Sequence, residues 1–407
     1  MQKKHPWTRR DFIAKPAALL AASQLMRPSS FLIAEAATPA PAAGKKIITR
    51  TLGKTGIEVP IVSMGEPEND SPGIVRRAYE LGIRHFDTAA EYQEGKNEKL
   101  LGAAIKDLGV RKQVTIATKV LASSQRKALN SEQAGKKFTE TFEASLRNLQ
   151  TDYVDVLYFH QVDDVADLSM EGPLNAMLKA KKEGKARAIG VSMHNSEPIL
   201  NEVARLGVHD VVLFPFNCTM ATDQKLLSAI ERVHKQGVGI VAMKTAVGGP
   251  QKAGEHAPAT TGAARTALLK WVLHHPAVST LISAFGSYDH IEQNVSVAYD
   301  LTLTEEEKKI LADKKLIASL EFCHQCHQCT GTCPNGADIP TLMRTHMYAL
   351  QYYPGTGHPH ETLASISAGR GLEACAKCET CTASCAWTVN IPRKIKQLQA
   401  WQQIVQA

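Results

Sequence analysis

The stretch Cys323-His-Gln-Cys326-His-Gln-Cys329-Thr-Gly-Thr-Cys333-Pro334 places four cysteines at regular intervals near the end of the chain. The same spacing returns 52 residues later, and an Ile-Pro dipeptide follows each run in the same register. Eight of the nine cysteines therefore belong to two C-x2-C-x2-C-x3-C runs, which are formed by Cys323, Cys326, Cys329, Cys333, Cys375, Cys378, Cys381 and Cys385.

This cysteine spacing is typical of iron–sulfur ligation. Three thiolates at i, i+3 and i+6 can bind one cubane, while the fourth binds the other cluster of a two-cluster ferredoxin. Structural zinc usually takes paired C-x2-C units, disulfides rarely join cysteines inside so compact a run, and a catalytic dithiol needs only two cysteines. The runs therefore predict two [4Fe-4S] clusters. Ala386 stands where the first run has Pro334, but proline donates no ligand.

The first residues have the pattern of an export signal. Thr8-Arg-Arg-Asp-Phe-Ile13 resembles the twin-arginine motif, and Ala34-Glu-Ala36 has the small-x-small pattern of a cleavage site. The alternative is an accidental Arg-Arg pair in a disordered tail. Because the twin-arginine route carries folded, cofactor-loaded proteins, it suits a chain with preassembled clusters. We therefore expect a periplasmic or otherwise exported protein, with a signal peptide over residues 1–37 and a linker over residues 38–46.

The middle of the chain alternates short β-branched runs with segments whose apolar residues recur at three- and four-residue spacing. Strands that alternate with helices pair in parallel, and eight such units in about 250 residues have the size of a (β/α)8 barrel. A doubly wound open sheet is the alternative, but no glycine-rich phosphate turn follows the first strand. The predicted strands are Val59–Met64, His85–Thr88, Val114–Val120, Val154–Gln161, Ala186–Met193, Val211–Asn217, Gly239–Lys244 and Thr280–Phe285.

Helical patterns continue after the eighth strand. Thr304 and the three glutamates behind it predict the start of a helix that leads into the first cysteine run. Pro340 and Pro392 occupy predicted first helical positions, each behind a cysteine run. Between the runs, Thr341–Tyr352 and His360–Ala374 are predicted to be helical. This pattern favours an α-helical ferredoxin-like domain.

Polar side chains follow three neighbouring predicted strands of the barrel. Asp87 ends the second strand, Tyr92 lies in the next loop, and Lys119 and His160 end the third and fourth strands. Barrel enzymes build their active sites at the carboxyl ends of their strands. Each residue alone has a less specific interpretation, such as a hydrogen-bonded core histidine or a solvated lysine. Their shared position at one rim favours a catalytic site.

Several motifs together resemble the aldo-keto reductase superfamily, and in particular a subgroup with a C-terminal two-cluster ferredoxin-like domain. They are Arg50-Thr-Leu-Gly-Lys-Thr-Gly56, Phe86-Asp-Thr-Ala-x-x-Tyr92, Lys119, His160 and Ile189-Gly-Val-Ser192. The resemblance implies that Asp87, Tyr92, Lys119 and His160 form the catalytic tetrad. It also implies a (β/α)8 TIM barrel over residues 47–313, followed by a small α-helical ferredoxin-like domain over residues 314–407.

The chemistry of such a tetrad follows from its groups. Reducing a carbonyl with hydride requires a proton for the developing alkoxide, and a phenol with a pKa of about 10 exchanges protons poorly near neutrality. An ammonium beside the phenol favours the phenolate, so Lys119 would activate Tyr92 and Asp87 would keep Lys119 charged. His160 would orient the carbonyl and stabilise the charge on its oxygen. The same groups serve alcohol oxidation in reverse.

The positions at which the family binds its nicotinamide cofactor depart from the family pattern. Ser192 is followed by Met193, where members usually have asparagine, and Leu213 stands at a common glutamine position. Ala284 and His290 stand where many members carry Lys and Arg for the 2′-phosphate of NADP. These departures leave NADP(H) an open candidate.

Other cofactor positions are kept. Asn294 matches the family, and Lys244 and the pair Gly248-Gly249 could face a pyrophosphate. The less specific interpretation is that Lys244 caps a strand and that the glycines make a turn. The resemblance therefore predicts Ser192, Lys244 and Asn294 as cofactor contacts.

Composition limits the kinds of partner. The chain has 407 residues with 44% hydrophobic and 21% charged residues, which is ordinary for a globular protein. The net charge of +7 is mild, and no basic run is interleaved with aromatic residues, so no nucleic-acid partner is expected. No stretch of 18 apolar residues exists, so no transmembrane segment is expected in the mature chain.

Three functions fit these patterns. The first is an exported oxidoreductase that interconverts a carbonyl and an alcohol on a small molecule, with sugars among the candidates, and exchanges electrons with a redox partner protein. The second is an electron-transfer or scaffold subunit whose barrel has lost catalysis. The third is a sugar epimerase or lyase with a retained nicotinamide. The complete tetrad argues against the scaffold, whereas the altered cofactor positions argue for it.

Overall fold

The computed structural model describes residues 46–67, 71–121, 129–247, 262–285, 287–352 and 357–406. Eight parallel strands, β3 to β10, close into a barrel in chain order, and a two-stranded antiparallel hairpin, β1–β2, precedes them. The strands are β1 (Thr49–Thr51), β2 (Glu58–Pro60), β3 (Val62–Pro67), β4 (His85–Asp87), β5 (Thr115–Leu121), β6 (Val154–His160), β7 (Ala186–Ser192), β8 (Val211–Pro215), β9 (Gly239–Met243) and β10 (Thr280–Phe285). The predicted barrel is confirmed.

Helices follow the strands of the barrel, and further helices form the C-terminal domain. They are α1 (Pro72–Glu80), α2 (Lys96–Leu108), α3 (Ser131–Leu149), α4 (Val165–Leu168), α5 (Glu171–Lys182), α6 (Ser196–Leu206), α7 (Gln224–Lys235), α8 (Gly262–Leu273), α9 (Tyr288–Tyr299), α10 (Glu305–Ala312), α11 (Lys314–Ser319), α12 (Ile339–Met347), α13 (His358–Ala364), α14 (Leu372–Cys375) and α15 (Ile391–Gln406). A π-helical turn, Tyr348–Tyr352, continues α12. None of the helices within these described ranges has the length and apolarity needed to cross a membrane.

Two apolar cores hold the barrel together. Alternate strand residues and the hairpin fill its interior, and a larger layer lies between the strands and the surrounding helices. The interior is tightly packed at Gly190 of β7. A Cβ atom there would lie 2.4 Å from the carbonyl oxygen of Val211 and 2.9 Å from the ring of Tyr158. Glycine therefore lets β7 approach its neighbours and sets the position of Ser192 at the strand end.

The C-terminal domain repeats one structural unit. Asp338 and Asn390 cap α12 and α15 by accepting hydrogen bonds from the backbone N–H groups of Thr341 and Arg393, respectively. Asp338 and Asn390 lie 52 residues apart, as do Thr341 and Arg393, and this is also the distance in sequence between the two cysteine runs. Ile339 and Ile391 are the first residues of these helices, so each proline lies one position later than predicted, still within the first helical turn that proline fits. The cysteine repeat is therefore a repeat of loop and helix.

Two local predictions were wrong. We predicted one strand over Val59–Met64, but this segment contains the end of β2 and the start of β3. The prediction failed because no polar turn residue separates these two apolar strands. The segment His360–Ala374 contains two short helices, since Gly369 takes a left-handed φ of 83° between them. The predicted signal peptide, nearly all of the predicted linker and the pair Gly248-Gly249 lie outside the described residues.

Candidate active site and cluster-binding domain

The predicted catalytic residues lie together at the carboxyl ends of the barrel strands. Asp87 and His160 are the last residues of β4 and β6, Lys119 lies near the end of β5, and Tyr92 begins the 3-10 turn after β4. Asp87, Lys119 and His160 are 2%, 1% and 4% exposed. The parallel barrel brings these side chains to one rim because it aligns the strand ends.

Lys119 holds the centre of this group. Its ammonium donates to the carboxylate of Asp87, to the carbonyl oxygen of Thr88 at 2.8 Å and to the hydroxyl of Tyr92 at 3.2 Å. Burial raises the pKa of Asp87, and the adjacent ammonium of Lys119 opposes that shift. The arrangement places a fixed positive charge at the phenolic oxygen, where it favours the phenolate.

Glu91 is a functional residue that the sequence patterns missed. Its carboxylate lies 2.9 Å from Nδ1 of His160 and accepts the backbone N–H of Leu121 at 2.9 Å. Burial lowers the pKa of His160. Burial alone would raise the pKa of Glu91, but its contacts with His160 and Leu121 lower it. A neutral His160 therefore donates from Nδ1 to the ionised Glu91 and keeps a lone pair at Nε2.

The cluster-binding domain forms one wall of the pocket above the barrel rim. Tyr92, Lys119 and His160 line the pocket from the barrel, together with Gln161, Ser192, His194, Met243 and Lys244. The opposite lining comes from the C-terminal domain, through Arg344, Tyr348, His358, Glu361, Thr362 and Ser365. Two of the barrel residues, Gln161 and Lys244, have positive φ values of 54° and 53°. Such backbone strain in residues other than glycine is concentrated at functional sites.

A partly buried ion pair attaches this wall to the barrel. Arg344 of α12 donates to Asp163 at 2.7 Å, and Asp163 also accepts the backbone N–H groups of His194 at 2.6 Å and Asn195 at 3.1 Å. Burial alone would raise the pKa of Asp163, but His194 and Arg344 lower it far below its usual range. The carboxylate is therefore ionised at neutral pH and connects the loop after β6 to α12.

Tyr348 makes the next contacts across the pocket. Its hydroxyl lies 3.2 Å from Nζ of Lys244 and 3.3 Å from Nε2 of His194. Tyr348 therefore stands beside residues at the ends of β7 and β9, close to Ser192. The side chain of Tyr348, from the C-terminal domain, therefore lines the pocket beyond the ends of β7 and β9.

The three predicted nicotinamide contacts have different surroundings. Ser192 and Lys244 line the pocket with the tetrad. Asn294 is fully buried on α9, where it accepts from Arg265 at 2.6 Å and donates to Ser283 at 3.1 Å. The donor set therefore fits a nicotinamide in part: Ser192 and Lys244 could contact one, while the polar groups of Asn294 bond within the protein.

The cysteine thiols fall into two groups across the repeat. Cys385 of the second run lies close enough to three thiols of the first run for its charge to raise their pKa values. These thiols belong to Cys323, Cys326 and Cys329. The second group joins Cys333 to the other three thiols, Cys375, Cys378 and Cys381. This exchange of the fourth cysteine is the arrangement that the spacing predicts for two cubanes.

Hydrogen-bond donors surround the sulfur atoms. Gln325 donates to Cys323 at 3.1 Å, Asn335 donates to Cys378 at 2.9 Å, and the backbone N–H of Trp387 donates to Cys385 at 3.3 Å. Burial raises the pKa of the Cys323 thiol to about 12. Four partly buried thiolates grouped in this way need a cationic partner, and thiolates with N–H donors are the ligand set that iron–sulfur clusters use.

The arrangement differs from a site for one ion. Within the described residues, no three His, Cys, Asp or Glu side chains stand close enough to hold a single metal ion. In a cubane each cysteine binds a separate iron, so the thiols surround a larger group. His324, which is buried, packs against Trp387 and lies 3.3 Å from Thr219 of the barrel, whereas His327 is exposed. Cys218 is buried outside both groups.

One helix connects the first thiol group to the pocket. Gln325, which donates to Cys323, also donates to the carbonyl oxygen of Pro340 at 2.9 Å. Pro340 begins α12, and Tyr348 follows at the end of that helix. Eight residues of helix rise about 12 Å, so the first group and the pocket lie at the two ends of α12.

Comparisons with known proteins agree with this geometry. Residues 64–263 match the profile of the aldo/keto reductase family, and residues 322–390 match that of a 4Fe-4S dicluster domain. The chain therefore combines a barrel of the oxidoreductase class with an iron–sulfur domain. It carries an aldo/keto reductase family domain followed by a 4Fe-4S dicluster domain.

Individual relatives extend over the barrel. An L-galactose dehydrogenase of Arabidopsis thaliana is 28% identical over 306 residues, which cover 67% of this chain and 94% of that protein. A methylglyoxal reductase of Escherichia coli is 28% identical over 243 residues, covering 58% and 85%. Among solved structures, aldo-keto reductases from Bacillus halodurans, in its holo form, and Klebsiella pneumoniae, with NADPH, share the fold. Both are 24% identical, with TM-scores of 0.54 and 0.51, and they cover 67% of this chain and 96% and 95% of theirs, respectively.

Proposed function

We propose that the barrel rim interconverts an alcohol and a carbonyl on a small molecule, and that two [4Fe-4S] clusters carry the electrons of this reaction. The pocket is the main support for the proposal. Tyr92, Lys119 and His160 line it from the barrel, while Arg344 and Tyr348 line it from the domain that contains the cysteines. A substrate bound in this pocket would therefore contact both the barrel rim and the domain that contains the cysteines.

The contact between His160 and Glu91 favours alcohol oxidation as the working direction. With Nδ1–H directed at Glu91, a neutral His160 presents a lone pair at Nε2, which repels a carbonyl oxygen and accepts a hydrogen bond from a second hydroxyl of the substrate. The phenolate of Tyr92, which Lys119 stabilises, takes the proton of the reacting hydroxyl as hydride leaves the carbon. Lys119 then stabilises the changing charge on the phenol oxygen.

A polyhydroxylated substrate suits the lining of the pocket. Most of the side chains that face it are polar or charged, including Lys119, Ser192 and Arg344, and several hydroxyl groups would find donors and acceptors there. The relatives include proteins named L-galactose dehydrogenase and methylglyoxal reductase. A sugar or another small hydroxy or carbonyl compound is therefore the proposed substrate class.

The electron balance of the reaction matches two clusters. Oxidation of one alcohol to a carbonyl releases two electrons and two protons, and two cubanes accept one electron each. A nicotinamide held by Ser192 and Lys244 would accept hydride from the carbon, and a carrier that divides an electron pair, such as a flavin, would pass single electrons from it to the clusters. A redox partner protein would then remove the electrons from the clusters. This partner would lie in the compartment to which the proposed twin-arginine signal directs the chain.

Anaerobic purification tests the proposal. The protein would be assayed with aldoses, polyols and small hydroxy acids, using a dye as electron acceptor, and its cofactors would be extracted and titrated with NADPH. We expect dye reduction with at least one sugar or polyol. A protein that turns over none of these compounds and binds no nicotinamide would support the scaffold function, which the altered residues Met193 and Leu213 favour.

A further inference from the structure

A second histidine enters the active-site pocket from the cluster-binding domain. His358, the first residue of α13, contacts the ring of Tyr92 edge to face, with the ring centroids 5.7 Å apart. Nε2 of His358 lies 3.0 Å and 3.2 Å from the two carboxylate oxygens of Glu66, near the end of β3. Glu66 is only 6% exposed, so a buried carboxylate of the barrel orients an imidazole of the neighbouring domain.

The two imidazoles beside Tyr92 form a matched pair. His160 also meets the Tyr92 ring edge to face at 5.7 Å, and its partner is Glu91. The phenol therefore contacts two imidazole–carboxylate pairs, one within the barrel and one shared between the domains. An imidazole held by a carboxylate has a fixed tautomer, which is a common arrangement for proton transfer.

The two pairs differ in their access to water. The side chain of His160 is 6% exposed, whereas that of His358 is 18% exposed. Burial lowers the pKa of His160. Burial would also lower the pKa of His358, but the contact with Glu66 outweighs it and raises this pKa. His358 is thus the imidazole that can exchange protons with solvent near neutral pH.

We propose that His358 is a proton-relay residue for Tyr92 and that Glu66 is the positioning residue that orients it. This inference rests on the alcohol–carbonyl chemistry proposed for Tyr92. After Tyr92 has taken the substrate proton, its O–H bond breaks and an N–H bond forms on His358, directly or through a water molecule. The imidazolium releases the proton to solvent, and the phenolate is ready for the next substrate.

The tautomer of His358 supports this direction of transfer. The Glu66 carboxylate accepts the Nε2–H group of the neutral ring, which leaves the lone pair on Nδ1 to receive a proton. The resulting imidazolium is stabilised by the carboxylate of Glu66. Glu361, which lies on α13 and also lines the pocket, adds a second negative charge.

Charged groups from other elements also face His358. Lys244, behind β9, opposes its protonation, while Tyr348 of the π-helical turn has its ring centroid 6.1 Å away. His160 and His358 oppose each other's protonation as well. The carboxylates of Glu66 and Glu361 outweigh burial and the charge of Lys244, so His358 holds a proton more strongly than an ordinary histidine. Alcohol oxidation, which needs the neutral ring, should therefore rise with pH through the His358 pKa.

The position of His358 links proton release to the electron-transfer domain. Both the relay and the cysteines belong to the same C-terminal domain, and α12 connects them to the pocket. Alcohol oxidation yields protons and electrons together. A docked C-terminal domain would therefore provide exits for both, whereas the barrel alone would provide neither.

A matched pair of variants tests the relay. His358→Gln keeps a polar group of similar size, and His360→Gln changes an exposed histidine of the same helix that packs on Trp401. In His358→Gln we expect kcat for sugar oxidation to fall about a hundredfold, KM to change little, the His358 limb of the pH profile to disappear and added imidazole to restore part of the rate. A His358→Gln enzyme with the wild-type kcat and pH profile would overturn the relay.

A second measurement does not depend on turnover. In the resting holoprotein labelled with 15N-histidine, NMR titration should assign His358 a pKa above that of a free histidine, and Glu66→Gln should lower it. Retained visible absorbance of the clusters would show that each variant is folded and loaded. If the pKa of His358 is unchanged in Glu66→Gln, the relay is contradicted while the proposed function is not. If the wild type has no activity on any sugar or polyol, the proposed function is contradicted.

Discussion

At the scale of single residues, the ammonium of Lys119 decides what Tyr92 can do. It contacts the phenol oxygen at 3.2 Å and is itself held by Asp87 and by the carbonyl oxygen of Thr88. A buried lysine with these partners stays in one position, and its charge stabilises the phenolate without any rearrangement during the reaction. The oxygen of Tyr92 is thus prepared for proton transfer.

Tyr92→Phe and Lys119→Met test this pairing. Tyr92→Phe removes the proton carrier and keeps the ring, so turnover should fall by about two to four decades, the usual contribution of a placed acid or base. Lys119→Met should act in the same direction, and the double variant should be little worse than Tyr92→Phe because the two residues act as one unit.

Tyr288→Phe is the control for steady-state kcat, since Tyr288 is 52% exposed and outside the pocket lining. Fully additive losses would show that Lys119 does not act through Tyr92, and a Tyr92→Phe enzyme as fast as the control would show that the rim does not use this phenol.

Residues also mark the limit of prediction from sequence. Asp87, Lys119 and His160 could be predicted because each lies at or near the end of a strand whose apolar pattern is local, and the barrel then aligns the strand ends. Glu91 reaches its partner across 69 residues, and Glu66 reaches His358 across 292 residues. No periodicity or motif connects such pairs, because closure of the barrel brings Glu91 to His160 and docking of the C-terminal domain brings Glu66 to His358.

At the scale of elements, α12 is the connection between the two domains. Its Arg344 forms a partly buried ion pair with Asp163, and Asp163 is further fixed by two backbone N–H groups after β7. Such a pair is costly to break from one side, because it leaves an uncompensated charge. The orientation of α12, and therefore of Tyr348 in the pocket, depends on it.

Arg344→Gln should destabilise the docked domain by about 2 kcal/mol, somewhat less than removing one partner of a fully buried pair costs, because this pair is partly exposed. Arg393→Gln is the control. Its partner is Glu321, and with Arg393 42% exposed the change should cost less than about 1 kcal/mol. Urea unfolding of the holoprotein would measure both. Equal losses in the two variants would show that the pair with Asp163 does not anchor α12.

The pH dependence of stability has a definite sign at this pair. The pKa of Asp163 is depressed in the folded protein, so its contribution is fully present above the ordinary aspartate pKa of about 3.9. The contribution is lost as the pH falls below that value toward the folded pKa. The acid-side loss of stability should therefore be shallower in Arg344→Gln than in the wild type.

At the scale of the whole molecule, the repeat assigns one cysteine of each run to the other group of thiols. Cys326→Ser or Cys378→Ser should therefore remove one cluster each and lower the iron content from about eight to about four atoms per chain. Iron and acid-labile sulfide would be measured in anaerobically purified protein, with Cys218→Ser as the control outside both groups. A wild type that contains zinc and no sulfide would contradict the cluster assignment.

Export concerns the whole molecule as well. If the chain is exported by the twin-arginine route, as we propose, replacing Arg9 and Arg10 with lysine should leave the precursor in the cytoplasm, because such a signal is read through its arginine pair. Fractionation of cells and detection of the mature protein would show the outcome. If the lysine variant still reached the far side of the membrane, the twin-arginine hypothesis would be wrong.

The fold as a whole followed from sequence more readily than the junction between its parts. Alternating strand and helix patterns predicted the barrel, and the cysteine spacing predicted the exchange of Cys333 and Cys385. The sequence patterns missed the placement of α12 and α13 over the barrel rim, because helices of a separate domain carry no local signal for the surface on which they pack. That placement supplies Arg344, Tyr348 and His358 to the pocket.

The central claim is that the barrel rim and the clusters work on the same electrons. The most direct measurement mixes the anaerobic, oxidised holoprotein with a substrate identified in the sugar and polyol assay and follows cluster reduction by EPR without any dye. We predict signals of reduced [4Fe-4S] clusters in the wild type and at least a hundredfold slower appearance in Tyr92→Phe. Clusters that stay oxidised in the wild type while the substrate is converted would contradict the claim.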